Sequence, residues 1–232
     1  MNFYICLIFI LLLSPVCADE LYIAVAANFT KPAKQLVRQF GTEHNINISF
    51  GSTGQFYTQI KNGAPYDIFL AADMQRPKKL VADGIASDLF VYAQGKLILW
   101  SKTVDLVNKD MLISNKFKRL AIAHPKIAPY GMAAQQVLEK LQLWDGLQDK
   151  IIRGNNISQA YQFAITGNAE LGFIALSQGM QEGSYWLVPE DLYQPILQGA
   201  VLLNQTTLAK EFMNFLHSPI AQKIIVKFGY NN

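Results

Sequence analysis

The chain is 232 residues long, with 51% apolar residues and a formal net charge of +3. That much apolar sequence can build two modest lobes or one large domain, and it excludes an intrinsically disordered chain. The small charge, with Lys and Arg scattered rather than clustered, gives no basic stripe for nucleic acid and fits a small anionic ligand only weakly.

Residues 1–18 read as a cleaved export signal. An apolar run from Phe3 to Leu13 is followed by Ser14-Pro15 and then by Val16-Cys17-Ala18, a small-residue cleavage pattern that makes Asp19 the first mature residue. The run is shorter than the roughly 20 residues of a membrane span, and polar Asp19-Glu20 follows it at once. No Lys or Arg precedes it, and Ser14-Pro15-Val16 is a poor lead-in for lipid modification of Cys17. Both cysteines, Cys6 and Cys17, fall inside this segment, so the mature chain is expected to carry neither a disulfide nor a thiolate nucleophile.

Leu21 to Ala26 is apolar with little alternation, the pattern of a parallel strand buried on both faces. A helix follows, with Pro32 in its first turn, an apolar face of Leu36, Val37 and Phe40, and Gly41 near its end. The unit repeats as a strand at Ile46–Phe50, a helix at Thr53–Lys61, a strand at Asp67–Ala71 and a helix at Gln75–Ala82 before Gly84. Such alternation predicts a doubly wound α/β sheet. Leu89 to Trp100 has no helix directly after it, as expected of a strand crossing from one lobe to another.

A second series then runs through a strand at Leu120–Ala123, a helix at Gly131–Leu141, a short strand at Ile151-Ile152, a helix at Ile157–Thr166 and a strand at Leu171–Leu176. Ile196–Leu203 carries the chain back, and helices at Thr207–His217 and Pro219–Phe228 close it. Two crossings predict a two-lobed α/β protein, each lobe a mostly parallel sheet flanked by helices, joined by a pair of hinge strands. The expected lobes are residues 19–97 with 200–232, and residues 98–199.

Open α/β sheets bind ligands beyond the carboxyl ends of their strands, where helix N-termini present unpaired N–H groups. Four strand-to-helix junctions here are rich in small polar residues: Ala26-Ala27-Asn28-Phe29-Thr30, Phe50-Gly51-Ser52-Thr53-Gly54, His124 through Gly131 around Tyr130, and Gly154-Asn155-Asn156-Ile157-Ser158. They offer hydroxyls, amides and backbone N–H groups with no Arg and a single Lys, a donor set suited to an anion held by dipoles. A fully ionised dianion needs only donors, whereas a protonated phosphate also needs an acceptor. Taken singly, each junction also reads as an ordinary capped turn, with Asn28 and Thr30 as N-caps, Tyr130 as a core residue and Ile157 as packing. Asp67 and Asp73 read as loop-orienting caps.

With these stretches in hand, the mature chain resembles the periplasmic molybdate-binding proteins of ABC importers along essentially its whole length. The resemblance rests on the junctions above and on Asn62-Gly63-Ala64-Pro65-Tyr66-Asp67-Ile68-Phe69-Leu70-Ala71-Ala72-Asp73, Ala123-His124-Pro125 with Pro129-Tyr130-Gly131, and Glu170-Leu171-Gly172-Phe173-Ile174-Ala175-Leu176-Ser177. It implies a type II-like periplasmic binding protein with a tetrahedral oxyanion, molybdate or tungstate, buried between the lobes as ligand, with no cofactor and an ABC permease as partner. It implies further that Asn28 stands where serine is frequent, that the Asn28 amide and the Thr53 hydroxyl donate to the oxyanion, and that Tyr130 and Ile157 donate through main-chain N–H groups. Some relatives use a tyrosine hydroxyl at the position of Ala175; its absence makes the Tyr130 hydroxyl the candidate replacement.

Other ligands for the same architecture are sulfate, phosphate, or ferric iron held by Tyr130 and Tyr161, although the junctions lack the acidic partners iron prefers. A hydrolase using Ser52 or Thr53 needs a base, and His44, His124 and His217 sit in no nucleophile elbow. There is no H-E-x-x-H pair. The expectation is therefore a monomeric binding protein rather than an enzyme, working in the periplasm.

Overall fold

The computed structural model describes residues 20–41 and 44–231, so the predicted export signal, Cys6 and Cys17 lie outside the described residues. Its first strand, β1 (Glu20–Ala26), shows why the sequence lacks alternation there. Leu21, Ile23 and Val25 pack into one apolar cluster with Leu36 of α1 (Thr30–Phe40), Phe212 of α8 (Thr207–Leu216) and Ile225 of α9 (Pro219–Lys227). Ala24 packs into another, with Phe56 of α2 (Thr53–Lys61) and Leu80 of α3 (Gln75–Ala82). A strand with helices on both faces has no polar side to show.

β1 pairs in parallel with β2 (Asn45–Gly51) and β3 (Ile68–Leu70), with Val25 opposite both Phe50 and Leu70. Antiparallel β10 (Ile196–Leu202) and β4 (Ser87–Gly95) complete a five-stranded sheet in the order β2-β1-β3-β10-β4. The second sheet repeats this plan in the order β7-β6-β8-β5-β9. Its parallel strands are β7 (Ile151–Gly154), β6 (Leu120–Ala123) and β8 (Leu171–Ala175), and its antiparallel ones are β5 (Leu97–Ser101) and β9 (Ser184–Leu187). α5 (Pro129–Lys140) contributes Val137 and Leu138 to its main core, and Ala160 of α6 (Ile157–Ile165) joins them. The chain is thus a two-lobed α/β protein, as the sequence predicts.

The chain passes from the first lobe to the second between β4 and β5 and returns ahead of β10. The apolar run Leu89–Trp100, expected as one crossing strand, is two: pairing ends at Gly95 in one sheet and resumes at Leu97 in the other, leaving Lys96 as the joint. One continuous strand cannot follow ladders in two differently oriented sheets. Gly95 has a second constraint, because a Cβ there would lie 2.0 Å from the Tyr130 hydroxyl.

α5 begins two residues before the predicted Gly131, since Pro129 suits a first helical turn where no N–H is required. The short α4 (Lys109–Ser114), α7 (Leu176–Gly179) and β9 were not foreseen: a helix of one turn or so shows no apolar period. The strand expected from Asp67 starts at Ile68 because the Asp67 carboxylate turns back to accept from the Tyr22 N–H at 2.8 Å and from Asn204 Nδ2 at 3.1 Å. Asp73 caps α3, accepting from the Arg76 N–H at 2.9 Å. Among the described residues no helix is long and apolar enough to cross a membrane.

The seating of α5 on β6 gives a test of the packing. A Cβ on Gly131 would lie 2.2 Å from the Ala123 carbonyl oxygen, whereas one on Gly146 meets nothing within 4 Å. Gly131→Ala is expected to lose about 1–3 kcal/mol in urea unfolding, and Gly146→Ala to stay within about 0.5 kcal/mol of the parent.

Candidate functional site

The four junctions singled out in the sequence converge on one pocket between the lobes. Asn28, Ser52, Thr53 and Ala72 line it from the first lobe, and Ala128, Tyr130, Asn156 and Ile157 from the second. All four predicted site residues, Asn28, Thr53, Tyr130 and Ile157, are therefore brought together, and each is almost wholly buried. Its cavity volume of about 10 Å³ is far below the usual range for a drug-sized ligand, so only a very small solute is in question. None of the described residues lining it is charged.

What the pocket offers follows from the helix starts. The first N–H groups of a helix have no partner within it, and here most are satisfied locally. At α2, Gly54 donates to Ile127 O at 2.9 Å, Gln55 to Ser52 Oγ at 3.2 Å and Phe56 to Ser52 O at 3.1 Å. At α5, Pro129 has no N–H, and Gly131 and Met132 both donate to Ala128 O. At α6, Gln159 donates to Asn156 Oδ1 at 3.0 Å and Ala160 to Asn156 O at 3.2 Å. No turn, cap or loop hydrogen bond among the described residues uses the N–H of Thr53, Tyr130, Ile157 or Asn28. The Thr53 hydroxyl accepts from the Ala72 N–H at 3.0 Å, which leaves its own proton to donate elsewhere.

Asn28 lies in the 3₁₀ turn Ala27–Phe29 between β1 and α1, and its side chain differs from expectation. Both amide protons are already engaged: Nδ2 donates to Gln198 Oε1 at 2.9 Å and to the Tyr230 hydroxyl at 3.0 Å. An amide has two N–H donors and no third, so the group available from Asn28 is its main-chain N–H. The network extends further, with the Tyr92 hydroxyl donating to Gln198 Oε1 at 2.9 Å and Gln198 Nε2 donating to the Tyr130 hydroxyl at 3.3 Å. The Tyr130 ring thus runs from the pocket back to the hinge at Gly95. Gln198, fully buried in an otherwise apolar β10, was missed in the sequence, as were Tyr92 and Tyr230; a lone amide inside an apolar strand was the available signal for Gln198.

Ala175 ends β8, fully buried, and its N–H donates to Gln178 Oε1 at 3.3 Å. Tyr161 is remote from the pocket lining, its hydroxyl donating to Glu182 Oε1 at 2.7 Å, so the two tyrosines weighed for iron do not meet. No group of three or more His, Cys, Asp or Glu among the described residues could hold a metal ion. His124 Nδ1 accepts from the Lys126 N–H at 3.3 Å, and His217 stacks on Phe90 with ring centroids 3.9 Å apart.

Two lobes closed over a small, uncharged, donor-lined cleft define a solute-binding protein. The chain belongs to the bacterial extracellular solute-binding protein family, whose model matches residues 21–231. It is 49% identical over 227 residues to the molybdate-binding protein ModA of Rhodobacter capsulatus, covering 93% of this chain and 90% of that protein. To ModA of Azotobacter vinelandii it is 48% identical, covering 92% and 90%. The solved periplasmic molybdate-binding protein of Azotobacter vinelandii superposes with a TM-score of 0.88 at 41% identity, over 91% of this chain and 99% of that one.

The buried phenols set a pH limit on this arrangement. Burial raises Tyr92 and Tyr130 well above the ordinary value, and it pushes Tyr230 up to about 12 even though hydrogen bonds with Ser177 and Asn28 oppose it. A phenol whose folded value exceeds the unfolded value of about 10 contributes stability that is complete below that pH and is lost as pH rises through the folded value. Ultraviolet titration is expected to leave Tyr230 un-ionised until about pH 12 and Tyr92 and Tyr130 un-ionised well past the ordinary phenol range, with their ionisation coinciding with loss of the fold.

Proposed function

We propose that this chain captures molybdate, or tungstate, in the periplasm and delivers it to the membrane permease of an ABC importer. The observation that carries the reading is the set of N–H groups at four helix and turn starts, Asn28, Thr53, Tyr130 and Ile157, around a pocket without a carboxylate. Each N–H sits at the positive end of a short dipole, so the four favour negative charge without a counter-ion. The Thr53 hydroxyl adds a fifth donor. A lining with surplus N–H donors and no carboxylate favours a fully ionised tetrahedral dianion over a phosphate that carries a proton, which must itself find an acceptor.

Capture follows from the two crossings. The moving bodies follow the two sheets, so the expected boundaries at 97/98 and 199/200 shift: Leu97 goes with β5 in the second body and all of Ile196–Leu202 with the first, and the bodies turn about Lys96 and the approach to β10. An open cleft admits the anion, donors from both sides complete its shell, and closure excludes water. In the closed form Gly54 N–H reaches Ile127 O across the cleft, and the Arg76 guanidinium reaches Lys126 O at 3.0 Å. Residues 1–18 direct export and are removed, the mature chain acts as a monomer without nucleic acid, and the closed surface is what the permease recognises.

Calorimetric titration of the chain from Asp19 onward with molybdate, tungstate, sulfate and phosphate tests this. Tight one-to-one binding of the first two with little heat from the others is expected; a preference for sulfate or phosphate, or no binding, contradicts it. Hydrogen bonds to charged groups contribute about 1.5–3 kcal/mol, so Thr53→Val is expected to weaken binding by at least about tenfold, with Thr53→Ser retaining most of the affinity. Gly54→Ala probes closure: its Cβ would lie 2.9 Å from the Ile127 backbone of the other lobe. It is expected to weaken binding while leaving the ligand-free melting temperature unchanged, which differential scanning calorimetry reads.

A further inference from the structure

The turn that carries Asn28 has two sides, and the second lobe grips the one facing away from the N–H groups. Ser158 Oγ of α6 donates to Ala27 O at 3.1 Å, and Ser177 Oγ of α7 donates to Asn28 O at 2.9 Å. Ser177 is buried, as is Tyr230, the third-last residue of the chain. Their oxygens are 3.0 Å apart, while Asn28 Nδ2 donates to the Tyr230 hydroxyl. The Tyr230 hydroxyl has two acceptors in reach for its one proton, Asn28 O at 2.8 Å and Ser177 Oγ at 3.0 Å; directed to Ser177 Oγ, the proton closes a ring of Asn28 Nδ2 to Tyr230 Oη, Tyr230 Oη to Ser177 Oγ, and Ser177 Oγ to Asn28 O. Each hydroxyl then both donates and accepts, the arrangement in which hydrogen bonds polarise and strengthen one another.

We infer that Ser177, supported by Ser158, is a positioning residue for the ligand, clasping the carbonyl side of the Ala27–Phe29 turn only when the lobes close. The inference rests on the anion reading above. Neither serine donates to the anion in this scheme. Ser158, by holding Ala27 O, fixes the peptide plane that carries the Asn28 N–H, and Ser177, by holding Asn28 O, fixes the next plane of the same turn, so together they set the turn and tie the two lobes at one point. Asn28 and Tyr230 belong to the same lobe, so on opening Nδ2 keeps its bond to the Tyr230 hydroxyl and that hydroxyl can hold Asn28 O at 2.8 Å, whereas every bond from Ser177 to them crosses the cleft. The neighbouring contacts support the same grip: Gln178 Nε2 donates to Ser158 Oγ at 3.1 Å, and Lys31 Nζ of α1 donates to Gln178 O at 3.3 Å. α7 is itself seated on the hinge, the Leu176 N–H donating to Lys96 O at 3.0 Å. In this chain α7 thus contributes to closure through Ser177, two residues past the donor-free Ala175.

The test compares Ser177→Ala with Tyr230→Phe in the mature chain, measuring molybdate affinity by calorimetry and melting temperature with and without molybdate. Ser177→Ala is expected to raise the Kd about tenfold and to lower the melting temperature of the loaded protein only, leaving the ligand-free value unchanged. Tyr230→Phe is expected to lower both melting temperatures, because it also removes a bond within one lobe. Ser158→Ala combined with Ser177→Ala is expected to weaken binding further than either alone. A Kd for Ser177→Ala within twofold of the parent overturns the inference. So does an equal fall in the ligand-free and loaded melting temperatures, which would make Ser177 a prop for α7 alone. A parent chain that binds neither molybdate nor tungstate defeats the anion reading itself and removes the clasp's purpose with it.

Discussion

A dianion taken out of water must find its donors already in place, because the cost of burying an uncompensated charge exceeds what any single contact returns. The structure meets that constraint with backbone. Four chain segments begin helices or turns at the same point, and at each start the surplus N–H groups are satisfied by local caps until few are left facing the pocket. Fixed backbone dipoles need no reorganisation when the ligand arrives, and a neutral lining leaves nothing to repel it. The two-lobed topology is the means of bringing those segments together: parallel strands of both sheets end facing one cleft, as open α/β sheets require of their binding crevices.

Behind the pocket lies a second layer that carries no ligand. Gln198 and Tyr92 of the two hinge-side strands, Asn28 of the turn, Tyr130 of α5 and Tyr230 near the C-terminus form one buried hydrogen-bonded network. Among the described residues no buried side-chain nitrogen or oxygen lacks a partner, so the network is fully satisfied, the condition under which buried polar groups rigidify rather than destabilise. Tyr130 joins the layers, lining the pocket and resting its hydroxyl against the hinge at Gly95. The geometry of the hinge and that of the site are consequently fixed by the same side chains.

The sequence made the architecture legible because its elements are separated by strong punctuation and its strands are buried on both faces; α2 and α3 begin and end where their apolar periods and caps predict. The pocket residues were legible for a positional reason, since all four follow a strand and open a helix or turn. Their chemistry was less so. Whether the Asn28 amide faces the ligand depends on Gln198, 170 residues away, and on Tyr230, 202 residues away, and no local pattern announces such partners. The Tyr130 hydroxyl, the candidate for the donor missing at position 175, accepts from Gln198, a partner that no local pattern announces either, and keeps its own proton to donate. Short elements such as α7 were invisible for lack of a repeat, and α7 is where the second lobe reaches Asn28.

In the proposed capture the anion is held through hydrogen bonds alone, its own oxygens intact and no protein atom bonded to the metal. X-ray absorption at the molybdenum edge of the loaded mature chain measures that directly. A tetrahedral, all-oxygen centre indistinguishable in its first shell from free molybdate is expected. An expanded coordination shell containing protein oxygen or nitrogen would contradict it.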